Sequence, residues 1–248
     1  ARYRASRIRY LIYRTPKARK LVKTGLDTSM TYAPSNMGIS PTSLKVRQRI
    51  MATGLNMPRG ACSTTGIIWH VGEDALPKVK FRAQAFQDYF RYLREHAQAH
   101  ERIEQAWVAI KQYLDKYNRP WRHVSGPCGS VILSVYELGW QPTQAKKWEA
   151  GEDALVYDSE VPIACMVEEV RRILIGQAWQ QASKHYAGEG MQDGIDLKIL
   201  RDKARAYEQQ GQARELQILQ TLLVAGSWTQ ERAYKAGLSD TPICPRCQ

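Results

Sequence analysis

The chain has 248 residues, enough for one large domain or two small ones, and its seven Trp and thirteen Tyr argue against disorder throughout. No run of 18 apolar residues occurs, so no membrane-spanning helix and no membrane insertion are expected. Cys62, Cys128, Cys165, Cys244 and Cys247 are odd in number and scattered, which points to a reducing intracellular compartment, nuclear or mitochondrial, rather than a disulfide frame.

The start carries no secretory signal. An opening Ala1 reads as a processed product, a fragment or an incompletely seen chain. Charge is the informative quantity. The chain carries +12, and residues 1–50 hold twelve Lys and Arg against one acid, Asp27. Nearly all of the excess is therefore one localised block. Such a block suits a phosphate backbone, because each neutralised phosphate releases condensed counterions.

In chain order, residues 1–24 interleave basic side chains with Tyr3, Tyr10, Tyr13, Ile8, Leu11, Ile12, Leu21 and Val22. Pro16 divides the stretch, which predicts one helix before it and one after. The tyrosines read equally well as groups that stack on unpaired bases or as core. Residues 25–76 are rich in Gly, Pro, Ser, Thr and Asn. They predict irregular chain with one short helix near Ser43 to Thr53, Pro41 sitting at its first position.

Residues 77–117 carry the clearest helical signal, a stripe of Phe86, Phe90, Leu93, Ala97, His100, Ile103, Trp107, Ile110, Leu114 and Tyr117. It fits one long helix or two with a break near His96 to Glu101. His100 on that stripe reads as a packed, hydrogen-bonded histidine rather than a ligand. A helix is expected over 126–139, with Gly139 as a left-handed cap, and a small β-hairpin over 146–157. Further helices follow over 162–186, from the Asp196 cap to about Gln210, from Gly211 to near Gly226, and from Thr229 to Gly237. The expected fold is mainly α, a helical bundle-like body with one β-hairpin and an extended basic N-terminal arm. Three stretches are expected: the arm over 1–76, a long helix or helical hairpin over 77–125, and a helical C-terminal subdomain over 126–248.

Catalytic constellations are sparse. There is no P-loop, no GxSxG and no HExxH, and the histidines are scattered. The Glu168-Glu169 pair precedes Arg171-Arg172 on an expected helix, where acid–base pairs are ordinary surface chemistry. Cys244-Pro245-Arg246-Cys247 offers half of a tetrahedral zinc site and needs two more ligands, so zinc is the one metal worth weighing. No catalytic residue is assigned. The candidate phosphate contacts are Arg2, Arg4, Arg7, Arg9, Arg14, Lys17, Arg19, Lys20 and Lys23, then Lys45, Arg47 and Arg49 on the short helix after Pro41.

Gly226-Ser227-Trp228-Thr229-Gln230-Glu231-Arg232, Lys235-Ala236-Gly237-Leu238-Ser239-Asp240-Thr241 and the closing Cys244-Pro245-Arg246-Cys247 lie in that order. They resemble the region after the palm in reverse-transcriptase-like proteins of non-LTR retroelements, where a Trp, a helical Arg, a Gly and a CxxC precede a His and another Cys. Gly126-Pro127 with Leu138-Gly139-Trp140 resembles that family's connecting region. Arg19-Lys20-Leu21-Val22-Lys23-Thr24-Gly25-Leu26, with Tyr32 and Gly38, resembles the start of its thumb. No Asp-Asp pair of the kind a polymerase palm needs is present.

The resemblance thus implies thumb and post-thumb, which hold nucleic acid, without catalysis. The leading expectation is a non-catalytic, RNA-favouring subunit of a larger ribonucleoprotein such as a ribosome, with other protein subunits as partners. Two alternatives stand beside it: a portion of an active RNA-directed DNA polymerase whose palm lies elsewhere, and a helical scaffold subunit of a protein complex.

Overall fold

A computed structural model describes residues 1–30, 38–58, 60–150, 153–186, 188–224, 226–227 and 229–245. The chain is mainly α with one small antiparallel hairpin. The helices are α1 (Arg2–Arg14), α2 (Pro41–Gly54), α3 (Ser63–His70), α4 (Pro77–Glu95), α5 (His100–Leu114), α6 (Gly126–Leu138), α7 (Ile163–Ser183), α8 (Leu197–Gln209), α9 (Ala213–Leu223) and α10 (Gln230–Lys235). Strands β1 (Lys147–Ala150) and β2 (Asp153–Val156) form the hairpin.

Helix α4 is the centre. It buries Val79, Phe81, Ala83, Ala85, Phe86, Tyr89, Phe90 and Leu93, and packs against α6 and α7. The apolar stripe of 77–117 breaks at His96, where ψ of 40° and a 3-10 turn over Ala97–Ala99 separate α4 from α5. The break lets the two helices close on a shared aromatic cluster. Trp148 of β1 lies at its middle, fully buried, with ring centroids 5.2 Å from Phe86, 5.8 Å from Phe90 and 6.1 Å from Trp107. Opposite Trp148 in the register is Leu155, so both occupy one face, while Val156 opposite Lys147 is exposed. The Tyr89 hydroxyl donates to the Ala145 carbonyl at 2.9 Å and the Trp107 indole N–H to Pro142 at 3.2 Å, which ties the turn before the hairpin to both helices.

Helix ends follow local chemistry. Ser40 accepts from the Ser43 N–H with Pro41 at the first position, Asp196 accepts from Lys198 and Ile199, and Thr229 accepts from Arg232. Gly139 closes α6 at φ 85°.

Two local expectations are corrected. The first thirty residues are not an extended arm: α1 buries Ala5, Ile8 and Ile12 in the main core. The helix after Pro16 is a mixed run, 3-10 over Pro16–Arg19, π over Val22–Asp27 and 3-10 over Thr28–Met30. Gly25 and hydroxyls that bond back to carbonyls, such as Thr24 to Lys20 at 3.1 Å, weaken regular α geometry there. Second, residues 63–70 are helical rather than irregular. Thr64, Thr65, Gly66, Ile67 and Ile68 are poor helix formers, and burial of that face overrides their propensity.

Arg82 of α4 is 1% exposed. Its guanidinium donates to both Glu137 carboxylate oxygens at 2.9 and 3.0 Å and to the Ile39 carbonyl at 2.7 Å, and lies 4.0 Å from the Trp121 ring centroid. Burial pulls its pKa down, and the Glu137 carboxylate opposes that shift. The charge survives burial because its Nε and Nη2 groups make three hydrogen bonds, two of them to the Glu137 carboxylate. Substituting Arg82→Met is expected to cost about 3–5 kcal/mol, because it leaves Glu137 unpaired, and the double variant with Glu137→Leu to recover much of that loss. Chemical denaturation of the single and double variants measures both.

Candidate nucleic-acid interface

Helix α1 carries five of the candidate cations. Its buried positions Ala5, Ile8 and Ile12 fall at i, i+3 and i+7. At 3.6 residues per turn, the opposite face is Tyr3, Arg7, Tyr10 and Arg14, at i, i+4, i+7 and i+11. Tyr3 is 75% exposed and Tyr10 61%. The Arg7 guanidinium lies 5.7 Å from the Tyr3 ring centroid and that of Arg14 5.7 Å from Tyr10, so ring and cation alternate along a ridge facing away from the core. Arg2, Arg4 and Arg9 are exposed on its flanks, and Tyr13 is exposed as well. Of the two readings open for the tyrosines, the structure puts them at the surface.

The acid of this block is removed from the surface. Asp27, the one carboxylate in residues 1–50, is buried and bonds Lys80 Nζ at 2.6 Å. No carboxylate therefore offsets the α1 cations from within their own block.

The remaining candidates divide. Lys17, Lys20, Lys23 and Lys45 are exposed. Arg47 is turned inward: it donates to the Met30 carbonyl and sits 4.5 Å from the Phe81 ring centroid, holding α2 to α4. Arg9, Arg19 and Arg49 come together on one cleft of about 880 Å³. The cleft is also lined by Asn56, Ser63, His70, Gln217, Gln220 and Thr221, none of which the sequence singled out. Arg9 donates to Asn56 Oδ1 at 3.0 Å, Asn56 itself lying in the left-handed region at φ 55°. Close packing draws these walls together: a Cβ on Gly54 of α2 would meet Leu26 at 2.8 Å and Ala5 of α1 at 3.8 Å.

Arg19 is half-buried, its Nε is buried with no hydrogen-bond partner, and desolvation lowers its pKa. Neighbouring His70 is pushed from 6.5 to about 3, first by burial and then by the Arg19 charge, so its imidazole is neutral at physiological pH.

Of the expected zinc pair, Cys244 lies in the described chain and Cys247 outside the described residues. Among the described residues no three His, Cys, Asp or Glu converge as a metal site. Among the described residues no helix is long and apolar enough to cross a membrane.

No family model, curated protein or solved structure matches this chain.

The His70 shift has a definite sign. The folded state holds a neutral imidazole and the unfolded state binds a proton below 6.5, so this contribution is full above that pH and is lost as pH falls towards about 3. Replacing His70→Asn should flatten the stability–pH curve in that window by up to about 1.4 kcal/mol per pH unit relative to the native protein. Urea melts of both proteins at several pH values give the difference, and parallel curves would place the proton elsewhere.

Proposed function

We propose that this chain is a non-catalytic nucleic-acid-binding protein, RNA favoured, that acts within a larger ribonucleoprotein. The observation that carries this reading is the α1 ridge of Tyr3, Arg7, Tyr10 and Arg14 opposite the buried face, in a block whose one acid is buried against Lys80. Guanidinium groups take phosphates, and exposed tyrosine rings offer π-faces on which unpaired bases stack. The same ridge would meet a duplex only through its cations, so single-stranded RNA is the favoured partner. The motif resemblance to the thumb of non-LTR reverse-transcriptase-like proteins supports the same reading, since that part of such enzymes grips backbone.

A second reading, a helical subunit of a protein complex, is favoured by a different observation. Helices α8 to α10 and the segment after them expose Ile199, Ile218, Leu222, Tyr234, Leu238 and Ile243. Binding to RNA and docking to protein would then use opposite ends of the chain's sequence.

Replacing Arg2, Arg4, Arg7 and Arg14 together by Gln should lower the slope of log affinity against log salt by about 3, at roughly 0.7 per single-strand phosphate, and weaken all sequences alike. Tyr3→Ala and Tyr10→Ala should each cost about 1–3 kcal/mol on single-stranded RNA and leave the salt slope unchanged. Fluorescence anisotropy with labelled single- and double-stranded RNA over a salt series reads both. An unmoved slope in the quadruple variant would remove α1 as the interface and leave the protein-docking reading.

A further inference from the structure

The arginine-lined cleft is not accounted for by the α1 ridge. Its walls come from five separate stretches: Arg9 of α1, Arg19 of the run after Pro16, Arg49 of α2, His70 of α3, and Gln217, Gln220 and Thr221 of α9. Tyr3, Arg7, Tyr10 and Arg14 are not among its lining residues.

We propose that this cleft is a binding site for a phosphate group, held by Arg9, Arg19 and Arg49. Three arginines line one concavity, and no carboxylate among the described residues lines it with them. Like charges gathered in this way repel one another, and a multiply charged anion is the ligand that reverses the sign of that interaction. The guanidinium fork matches tetrahedral oxyanions through paired N–H donors, which favours phosphate over a monovalent anion.

Arg19 gives the most specific sign. A buried donor costs stability unless it is bonded, and its Nε has no acceptor among the described residues. Neither an ion pair nor a carbonyl ties the Arg49 guanidinium among the described residues, whereas Arg47 two positions away is tied to Met30 and Phe81. Neutral amide donors on Asn56, Gln217 and Gln220 widen the set available to the phosphate oxygens without adding charge. The volume of about 880 Å³ also admits the sugar to which a phosphate is attached.

Two sources share this chemistry: a phosphodiester within RNA, and a terminal or free phosphate monoester. The test uses the whole chain with arginine side-chain N–H resonances followed by NMR. Inorganic phosphate is titrated at constant ionic strength. Saturable shifts of the Arg9, Arg19 and Arg49 Nε–H signals are expected. Arg49→Gln should weaken phosphate binding by roughly tenfold or more, the scale of one lost charge-assisted hydrogen-bond pair. Lys116→Gln, which removes an equal charge at an exposed position outside the cleft, should leave the phosphate affinity within about twofold, as expected for a screened surface charge.

Arg19→Met should abolish the site while leaving the melting temperature equal or higher, because it removes an unbonded buried donor and keeps the apolar stem. A lower melting temperature would make Arg19 a fold-holding residue and remove it from the site. RNA oligonucleotides with and without a 5′-phosphate then separate the sources. Tighter binding of the phosphorylated end, lost in Arg19→Met, assigns a terminal phosphate. Equal binding of both, with inorganic phosphate competing, assigns the backbone. Phosphate titration that moves none of the three signals, or an affinity that Lys116→Gln lowers as much as Arg49→Gln does, overturns the proposal whether or not RNA binds α1.

Discussion

The buried Arg82 guanidinium joins four stretches of chain that are distant in sequence. Its own helix α4 supplies the arm, Glu137 of α6 the charge partner, Ile39 an acceptor before α2, and Trp121 an aromatic cover. Each contact is directional, so the guanidinium fixes where those stretches sit as well as holding them together. The consequence for the basic block is direct. Ile39, Leu44 and Phe81 form a small apolar cluster beside this ion pair, and Arg47 covers Phe81. Helix α2 is thereby docked on α4, and α1 packs on α2.

Charge and packing are divided between faces rather than between domains. The block that carries most of the excess charge contributes Ala5, Ile8, Ile12, Val22, Leu26 and Met30 to the same core as Trp148 and Trp107. A flexible basic tail would lose conformational freedom on meeting a ligand. Helix α1 has already been ordered by folding, so its ring-and-cation ridge presents a fixed spacing and a smaller entropic cost of binding.

Much of this was legible in the sequence, and the exceptions have physical causes. The period of 77–117, the Pro41 start of α2, the Asp196 and Thr229 helix starts and the Gly139 stop are local signals, and each lies where local rules put it. The break at His96 was legible within a few residues. Helix α3 was not, because Ser63-Thr64-Thr65-Gly66-Ile67-Ile68 has no helical preference until its face is buried. The ridge on α1 could have been read by placing Ala5, Ile8 and Ile12 on a wheel. The cleft could not: nothing in the spacing of Arg9, Arg19, Arg49 and Gln217 predicts that they line one concavity. Nor does sequence distinguish inward Arg47 from outward Arg49, since that follows from the position of Phe81 on another helix.

The far wall of the cleft differs in kind from the rest. Helix α8 buries none of its residues fully and α9 only Leu223, with Val224 just beyond it, where the carbonyl of Val224 accepts from the Cys62 N–H at 2.8 Å. Little apolar surface is exposed when such a hairpin lifts, so its opening free energy lies well below that of α4. The cations stand on the stiff side and Gln217, Gln220 and Thr221 on the compliant one. Local fraying therefore displaces the neutral wall before the charged one.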